Sequence, residues 1–362
     1  MELNKIDTMK SLIEPLPPFK MSDRCKINTG YLCNGNCYFC YYEESRDHNF
    51  KTETIKHQLD IGIRHGLTAC DFTGGEPTMH EYFLEVVDYA RYLGYKTICA
   101  ISNGTTFCDR SFLKEAIDAG LTEILLSLHG PEEVQNEIMQ MGNAYQKMIK
   151  TIQNASALGL RTRVNSVITT RTCKTLPNVA AILNNYPIVN YNMIMFKYCY
   201  DQSVASLDKT LPHEVTTGYV KEAIDISNIP YINARYIPFC LMRGYEKYVS
   251  NYPQKKYDPL EWLNTLVYRF CLPEKEVLNL CLDFLELDKE TEVNKSIRST
   301  CTTSYMKPYE CIRCQEFLIC DGFEKEYAKL IDVRSEAKPQ HEEKIKDPMH
   351  YRYKYYEGVC DE

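Results

Sequence analysis

Cys33-Asn34-Gly35-Asn36-Cys37-Tyr38-Phe39-Cys40 places three cysteines within eight residues, and the segments on either side of this run decide the fold. Three thiolates are one too few to close the corners of a four-iron cluster, so a CxxxCxxC loop leaves one iron open to an outside ligand. Taken alone, the run could also arise by chance or hold zinc with a distant fourth ligand. The residues before it, Arg24 to Leu32, read as a first strand. The cysteines therefore occupy the loop that leaves that strand.

Further on stands Asp71-Phe72-Thr73-Gly74-Gly75-Glu76-Pro77, a short apolar strand pattern that ends in two glycines. Only a backbone without Cβ lets a ligand approach closely there. Between the two motifs, Thr52 to His65 has helical spacing.

The cysteine run followed by Gly-Gly-Glu-Pro resembles the signature of the radical S-adenosylmethionine (SAM) enzymes. The resemblance implies a [4Fe-4S] cluster on Cys33, Cys37 and Cys40, with the open iron chelated by the amino and carboxylate groups of SAM. It further implies reductive cleavage of SAM to methionine and a 5′-deoxyadenosyl radical that takes a hydrogen atom from a substrate. The electron would come from a reductant such as flavodoxin or ferredoxin. Gly74, Gly75 and Glu76 match the edge that receives the SAM amino group, and Phe39 matches an aromatic near adenine. Ser102 and Ser127 end strands where the family binds SAM or substrate, and Asn165 falls at the ribose and carboxylate end. The plainer readings stay open: Phe39 as a core aromatic, and the two serines and Asn165 as turn or capping residues.

Extended patterns recur at Ala69 to Thr73, Lys96 to Ser102, Glu123 to Leu128, Arg161 to Thr169 and Asn190 to Lys197. Helical spacing separates them at His80 to Leu93, Ser111 to Ala119, Ala144 to Leu158 and Leu176 to Asn184, with Gly94, Gly120 and Gly159 as stops. Such alternation predicts an α/β fold with a parallel sheet. The resemblance specifies it as a partial (βα)6 TIM-like barrel over roughly residues 20–230, and the motifs all follow strand carboxyl ends, where such sheets bind ligands. His129 reads either as a loop histidine beside Gly130-Pro131 or as a cavity group. Arg163 shares a strand face with Asn165, so it either points inward and can hold a carboxylate or phosphate, or is solvated surface.

Past residue 230 the sequence becomes irregular, aromatic and cysteine-rich. Cys311-Ile-Arg-Cys314 continues to Cys320, and Cys240 stands upstream. This region is similar to the auxiliary-cluster (SPASM and twitch) branch of the family, but a complete SPASM pattern is missing, since position 324 is glutamate. The expectation is one auxiliary [4Fe-4S] cluster on Cys240, Cys311, Cys314 and Cys320, with Cys301 as substitute for Cys240; a structural zinc knot is the alternative. The expected domains are an extension at 1–19, the barrel at 20–230, the auxiliary region at 231–335 and a charged, tyrosine-rich tail at 336–362, solvated or docked. Tyr248 to Trp262 reads as a packing strap over the barrel mouth.

With 362 residues and 44% apolar content, the chain can bury a large core. A net charge of -7 and the lack of a basic block exclude a general nucleic-acid binder. No run long enough to span a bilayer and no signal-like amino end is present, so no membrane is expected and the expected location is cytoplasmic. The odd total of 17 cysteines fits thiolates serving metal better than disulfides, and Cys70 and Cys99 read as buried small hydrophobes. The residues preceding Cys33 are too few for the peptide-recognition domain of some peptide-modifying relatives. That favours a small polar substrate (sugar, aminosugar, nucleotide or amino acid derivative), with a peptide-maturing enzyme served by a separate leader-binding partner as the alternative. An iron-sulfur or zinc redox sensor is the reading of another class.

Overall fold

The computed structural model describes residues 22–40, 46–197, 209–262 and 305–355. Six parallel strands stand where the alternation places them: β1 (Arg24–Asn28), β2 (Ala69–Thr73), β3 (Thr97–Ser102), β4 (Glu123–Ser127), β5 (Arg161–Ile168) and β6 (Ile188–Met195). Two more, β7 (Tyr231–Arg235) and β8 (Val249–Ser250), continue the same order in one eight-stranded sheet. The helices are α1 (Thr52–Arg64), α2 (Phe83–Tyr92), α3 (Arg110–Ala119), α4 (Glu132–Met139), α5 (Ala144–Ala157), α6 (Leu176–Leu183) and α7 (His213–Ile226). Gly94, Gly120 and Gly159 all have positive φ, which lets each turn the chain back from a helix at no steric cost.

By contacts the chain divides into two compact units. The first holds Asp23–Met193 and Glu222–Ile232; the second holds Met1–Ser22, Ile194–Lys221 and Asn233–Glu362. The change of sequence character near residue 230 thus lies close to Asn233, while Ile194–Lys221 also joins the second unit.

In the first unit, registers such as Asp71 opposite Cys99 and Cys99 opposite Glu123 set one residue of each strand at a common level. Side chains alternate along strands, so Ser127, Asn165 and Thr73 share the face of Glu123, Arg163 and Asp71. The lower level of that face is ionic. Arg24 pairs with Asp71 and, at 3.1 Å, with Glu123; Arg163 reaches Glu123 at 2.7 Å and Asp71 at 3.5 Å. Arg163 therefore points inward, and the carboxylates it holds belong to the chain itself. The solvated alternative is excluded, since its side chain is 1% exposed. Burial alone would raise the Glu123 carboxyl; Arg163, Arg24 and Arg161 outweigh it and hold it down at about 2. Cys99 is buried within this layer, where Arg163 donates to its sulfur at 3.4 Å, so it is a polar-layer residue rather than a plain hydrophobe.

The second unit contains α8 (Tyr252–Lys255), the hairpin of β9 (Tyr305–Met306) with β10 (Phe323–Glu324), α9 (Lys325–Leu330) and α10 (Val333–Glu336). The segment from Tyr248 to Trp262 packs inside it, with Tyr252, Tyr257 and Leu260 buried. The tail is docked around Met349 and Arg352, which are buried, with Arg352 donating to Val249 O at 2.7 Å and Asn233 Oδ1 at 2.6 Å; Lys338 and residues 340–343 are exposed, and 356–362 lie outside the described residues.

Candidate functional site

The loop that carries Cys33, Cys37 and Cys40 is fastened to the end of β2 by its own backbone. Gly75 N–H donates to Gly30 O at 2.9 Å and Glu76 N–H to Leu32 O at 2.8 Å. A Cβ on Gly74 would stand 2.1 Å from Gly30 O, and one on Gly75 2.3 Å from both Leu32 O and Tyr31 O. The glycines are thus required by the cysteine loop itself: the chain's own backbone makes the close approach that their position suggests for a ligand. Arg46 closes the loop from the other side, donating to Gly35 O at 3.0 Å, to Cys37 O at 3.2 Å and to Asn36 Oδ1.

The sulfurs sit among polar donors. Gly35 N–H points at Cys33 Sγ at 3.3 Å, and Asn103 Nδ2 stands 3.9 Å from it. Burial, with Cys40 and Cys33 adding to it, pushes the Cys37 thiol up to about 12. Without a bound cation it stays protonated at neutral pH; a metal reverses this by stabilising the thiolate.

Glu76 lies beneath the loop, 2% exposed, and its carboxylate accepts from Ser102 Oγ (2.8 Å), Asn103 N–H (2.7 Å), Thr78 Oγ1 (2.6 Å) and Thr78 N–H (3.3 Å). Burial still leaves its pKa raised, those four bonds notwithstanding. The Glu76 side chain is therefore a staple between the loops after β2 and β3, and Ser102, expected at the cofactor, has its hydroxyl engaged in that staple. Ser127 and Asn165 are half-buried on the inner face; Asn165 Oδ1 accepts from Asn192 Nδ2 at 2.8 Å. Phe39 packs edge-on against His129, ring centroids 5.0 Å apart.

His129 is thus a buried partner of the cysteine loop, 4% exposed, with Nδ1 accepting Val167 N–H at 3.2 Å. Burial depresses its pKa to about 4. An unfolded histidine titrates near about 6.5, so the unfolded chain gains a proton between about 6.5 and 4 that the folded chain refuses. Stability present above that window is lost as pH falls through it, by on the order of 3 kcal/mol for this group. His213, which burial brings down to about 3, adds in the same direction. Melting temperatures from pH 7.5 to 4 are expected to fall steeply, and less steeply in a His129→Gln variant.

In the second unit, Cys240, Cys311, Cys314 and Cys320 line one cavity of about 340 Å³, its open mouth included, together with Lys307, Glu316 and Phe317. Cys301 lies outside the described residues. Gly322 N–H donates to Cys320 Sγ at 3.3 Å, and burial pushes the Cys311 thiol up to about 12. Lys307 is fixed by Phe317 O at 2.7 Å. The Cys314 thiol donates to Glu316 Oε2 at 3.1 Å, and the fork of Arg243 clamps the same carboxylate, which stays at about 2 against its burial. The four cysteines are legible by spacing; Arg243 and Glu316 are not, since they are partners 73 residues apart, nor is Arg46, whose bonds go to backbone and side-chain oxygens of the nearby loop that no motif marks.

A parallel sheet with a three-cysteine loop zipped to a Gly-Gly-Glu edge defines the class. Residues 27–172 match the family model of the Radical SAM superfamily, and the chain carries a radical SAM domain. It is similar to a protein named Probable GTP 3′,8-cyclase from Sulfolobus acidocaldarius, 28% identical over 152 residues, 41% of this chain and 48% of that one. It is also similar to Fe-coproporphyrin III synthase from Methanosarcina barkeri, 28% identical over 43% of this chain and 39% of that one. The chain thus spans about half the length or less of these curated relatives. Among solved structures it resembles Streptococcus suis SuiB bound to S-adenosylmethionine (TM-score 0.55, 15% identity, 90% of this chain and 76% of that one). It also resembles anSMEcpe with bound AdoMet and Cp18Cys peptide (TM-score 0.54, 16% identity, 93% and 97%). At such identities the likeness is one of fold. No helix among the described residues is long and apolar enough to cross a membrane.

Proposed function

We propose that this protein is a SAM-cleaving radical enzyme whose [4Fe-4S] cluster is held by Cys33, Cys37 and Cys40, with a second [4Fe-4S] cluster held by Cys240, Cys311, Cys314 and Cys320. The observation that carries the reading is the cysteine loop's attachment to the Gly74-Gly75-Glu76 edge through Gly30 and Leu32. A redox sensor has no need of such an edge. When bound, the first cluster supplies the electron that splits SAM into methionine and a 5′-deoxyadenosyl radical. The chain's part is to place and shield: Arg46 and the glycine edge fix the loop, Glu76 fixes the turn at Ser102 and Asn103, and Phe39 on His129 forms an apolar wall.

Zinc is the alternative occupant of the two cysteine sets, and metal analysis of the purified protein separates it from iron. A further group of possible donors, Asp71, Cys99 and Glu123, lies within 4.8 Å, but Arg24 and Arg163 already neutralise its carboxylates.

A small polar substrate is the preferred class, supported by relatives named for a nucleotide cyclase and a porphyrin synthase. The electron donor would be a flavodoxin or ferredoxin, and the cytoplasm supplies the reducing conditions an open cluster requires. The test is anaerobic reconstitution with iron and sulfide, then SAM and dithionite. Release of 5′-deoxyadenosine is expected; none from protein with a full iron complement would overturn the assignment. Deuterium transfer into 5′-deoxyadenosine, from labelled small molecules or from peptides, then separates the two substrate classes.

A further inference from the structure

Beyond both cysteine sets, the second unit contains an aromatic and cationic nest around Tyr236. This residue follows β7 with φ 66, a left-handed backbone that a bulky aromatic adopts only where the surroundings enforce it. Such strain gathers at sites where the position of one side chain matters. Tyr236 Oη is 2.6 Å from Lys255 Nζ, which lies 3% exposed at the end of α8. Lys197, just after β6, holds its ammonium 4.2 Å from the centre of the Tyr236 ring. Two cations thus converge on one phenol.

The other groups around it complete the picture. Glu261 pairs with Lys255 at 2.8 Å and with Arg235, so one carboxylate is shared between two cations. Lys197 donates to Tyr252 Oη at 2.5 Å and lies 5.1 Å from the ring of Tyr305, whose own hydroxyl is buried without a hydrogen-bond partner among the described residues. Asp321 accepts from Tyr252 N–H at 2.9 Å and feels both Lys197 and Lys255, so it and Glu261 stand against three cations, Lys255, Lys197 and Arg235. Positive charge is in excess at the phenol, and although burial opposes ionisation, Lys255 and Lys197 bring the Tyr236 pKa below its ordinary value.

We propose that Tyr236 is a proton-transfer residue, its oxygen set against Lys255 and its ring against Lys197 so that a phenolate there is stabilised, and that it accepts a proton from a substrate group. The step balances simply: a substrate C–H, N–H or O–H bond gives its proton to Tyr236 Oη, the bonding pair stays on the substrate, and the phenol formed keeps its bond to Lys255. Tyr236 and Lys197 are both half-buried, while Lys255 is 3% exposed, so a partly open residue is backed by one buried cation. This role deepens the enzymatic reading above and rests on it for the identity of the reaction, but the ionisation itself does not depend on SAM cleavage.

The experiment is a pH titration of tyrosinate absorbance on the reconstituted protein, taken as the difference between wild type and Tyr236→Phe so that the clusters and other tyrosines cancel. One ionisation is expected in the difference, with its midpoint below that of an ordinary tyrosine, and Lys255→Met is expected to shift it upward. Lys197→Gln provides a second variant should Lys255→Met fail to fold, with the same upward shift. A difference titration with an ordinary midpoint, or one that the lysine variants leave in place, overturns the proposal. Wild-type protein that shows the low ionisation but releases no 5′-deoxyadenosine would sink the SAM reading alone.

Discussion

Protein in which Cys33, Cys37 and Cys40 are all replaced by alanine is expected to release no 5′-deoxyadenosine and yet to keep about four irons, against about eight in the wild type, because four thiolates close a cluster without outside help. The expectation follows from the separate construction of the two sets. The first is a loop tied by Arg46 and the glycine edge within Asp23–Met193; the second lines a cavity wholly within Asn233–Glu362. Removing the first set takes away the three thiols of the loop zipped to the Gly-Gly-Glu edge and touches none of the residues around Cys314. Replacing Cys311 and Cys314 is expected to give the converse, with about four irons lost and the spectral response to added SAM retained. Loss of all iron from the triple variant, or zinc in place of the remaining iron, would refute the division.

The sequence carried much of this, for physical reasons that differ from residue to residue. Strands β1 to β6 were legible because each is a short run bounded by Gly, Ser or Asn, and the motifs mark their carboxyl ends. Helix α4 gives little sequence signal, being one short amphipathic stretch with Pro131 rather than a side-chain cap at its start. Strand β8 has two residues, too few for any period to register. Gly74 and Gly75 were legible as positions of close approach, but the approaching group, the backbone of Gly30 to Leu32, is fixed by folding and cannot be read from composition. Glu76 was legible as a motif residue, whereas its role as a staple depends on hydrogen bonds to Ser102 and Asn103, across β3. Tyr236 gave no signal at all, since a left-handed tyrosine runs against local preference and is imposed by its neighbours.

The ionic layer inside the first unit yields the largest expected change in stability. Arg163→Met removes one guanidinium from Glu123 and Asp71 and leaves two buried carboxylates short of positive charge. Breaking a buried pair by removing one partner costs about 3–5 kcal/mol, on the order of 10 °C in melting temperature for a unit of this size. The cost should fall when the partner is removed as well: an Arg163→Met/Glu123→Gln double variant is expected to lose less than the sum of the two single changes, because Arg24 and Asp71 stay paired and the one cation left without Glu123, Arg161, is 38% exposed and reaches water. The same layer sets an acid limit. Glu123, held at about 2 when folded and near about 4.3 when unfolded, gives stability that is complete above the unfolded value and fades as pH falls toward the folded one. Without Arg163 the folded value rises, so the acid loss shrinks even as stability at neutral pH drops. Melting curves of the wild type and Arg163→Met at pH 7 and pH 3.5 should therefore lie closer together at the lower pH; a gap that does not change would show that Arg163 acts through packing rather than charge.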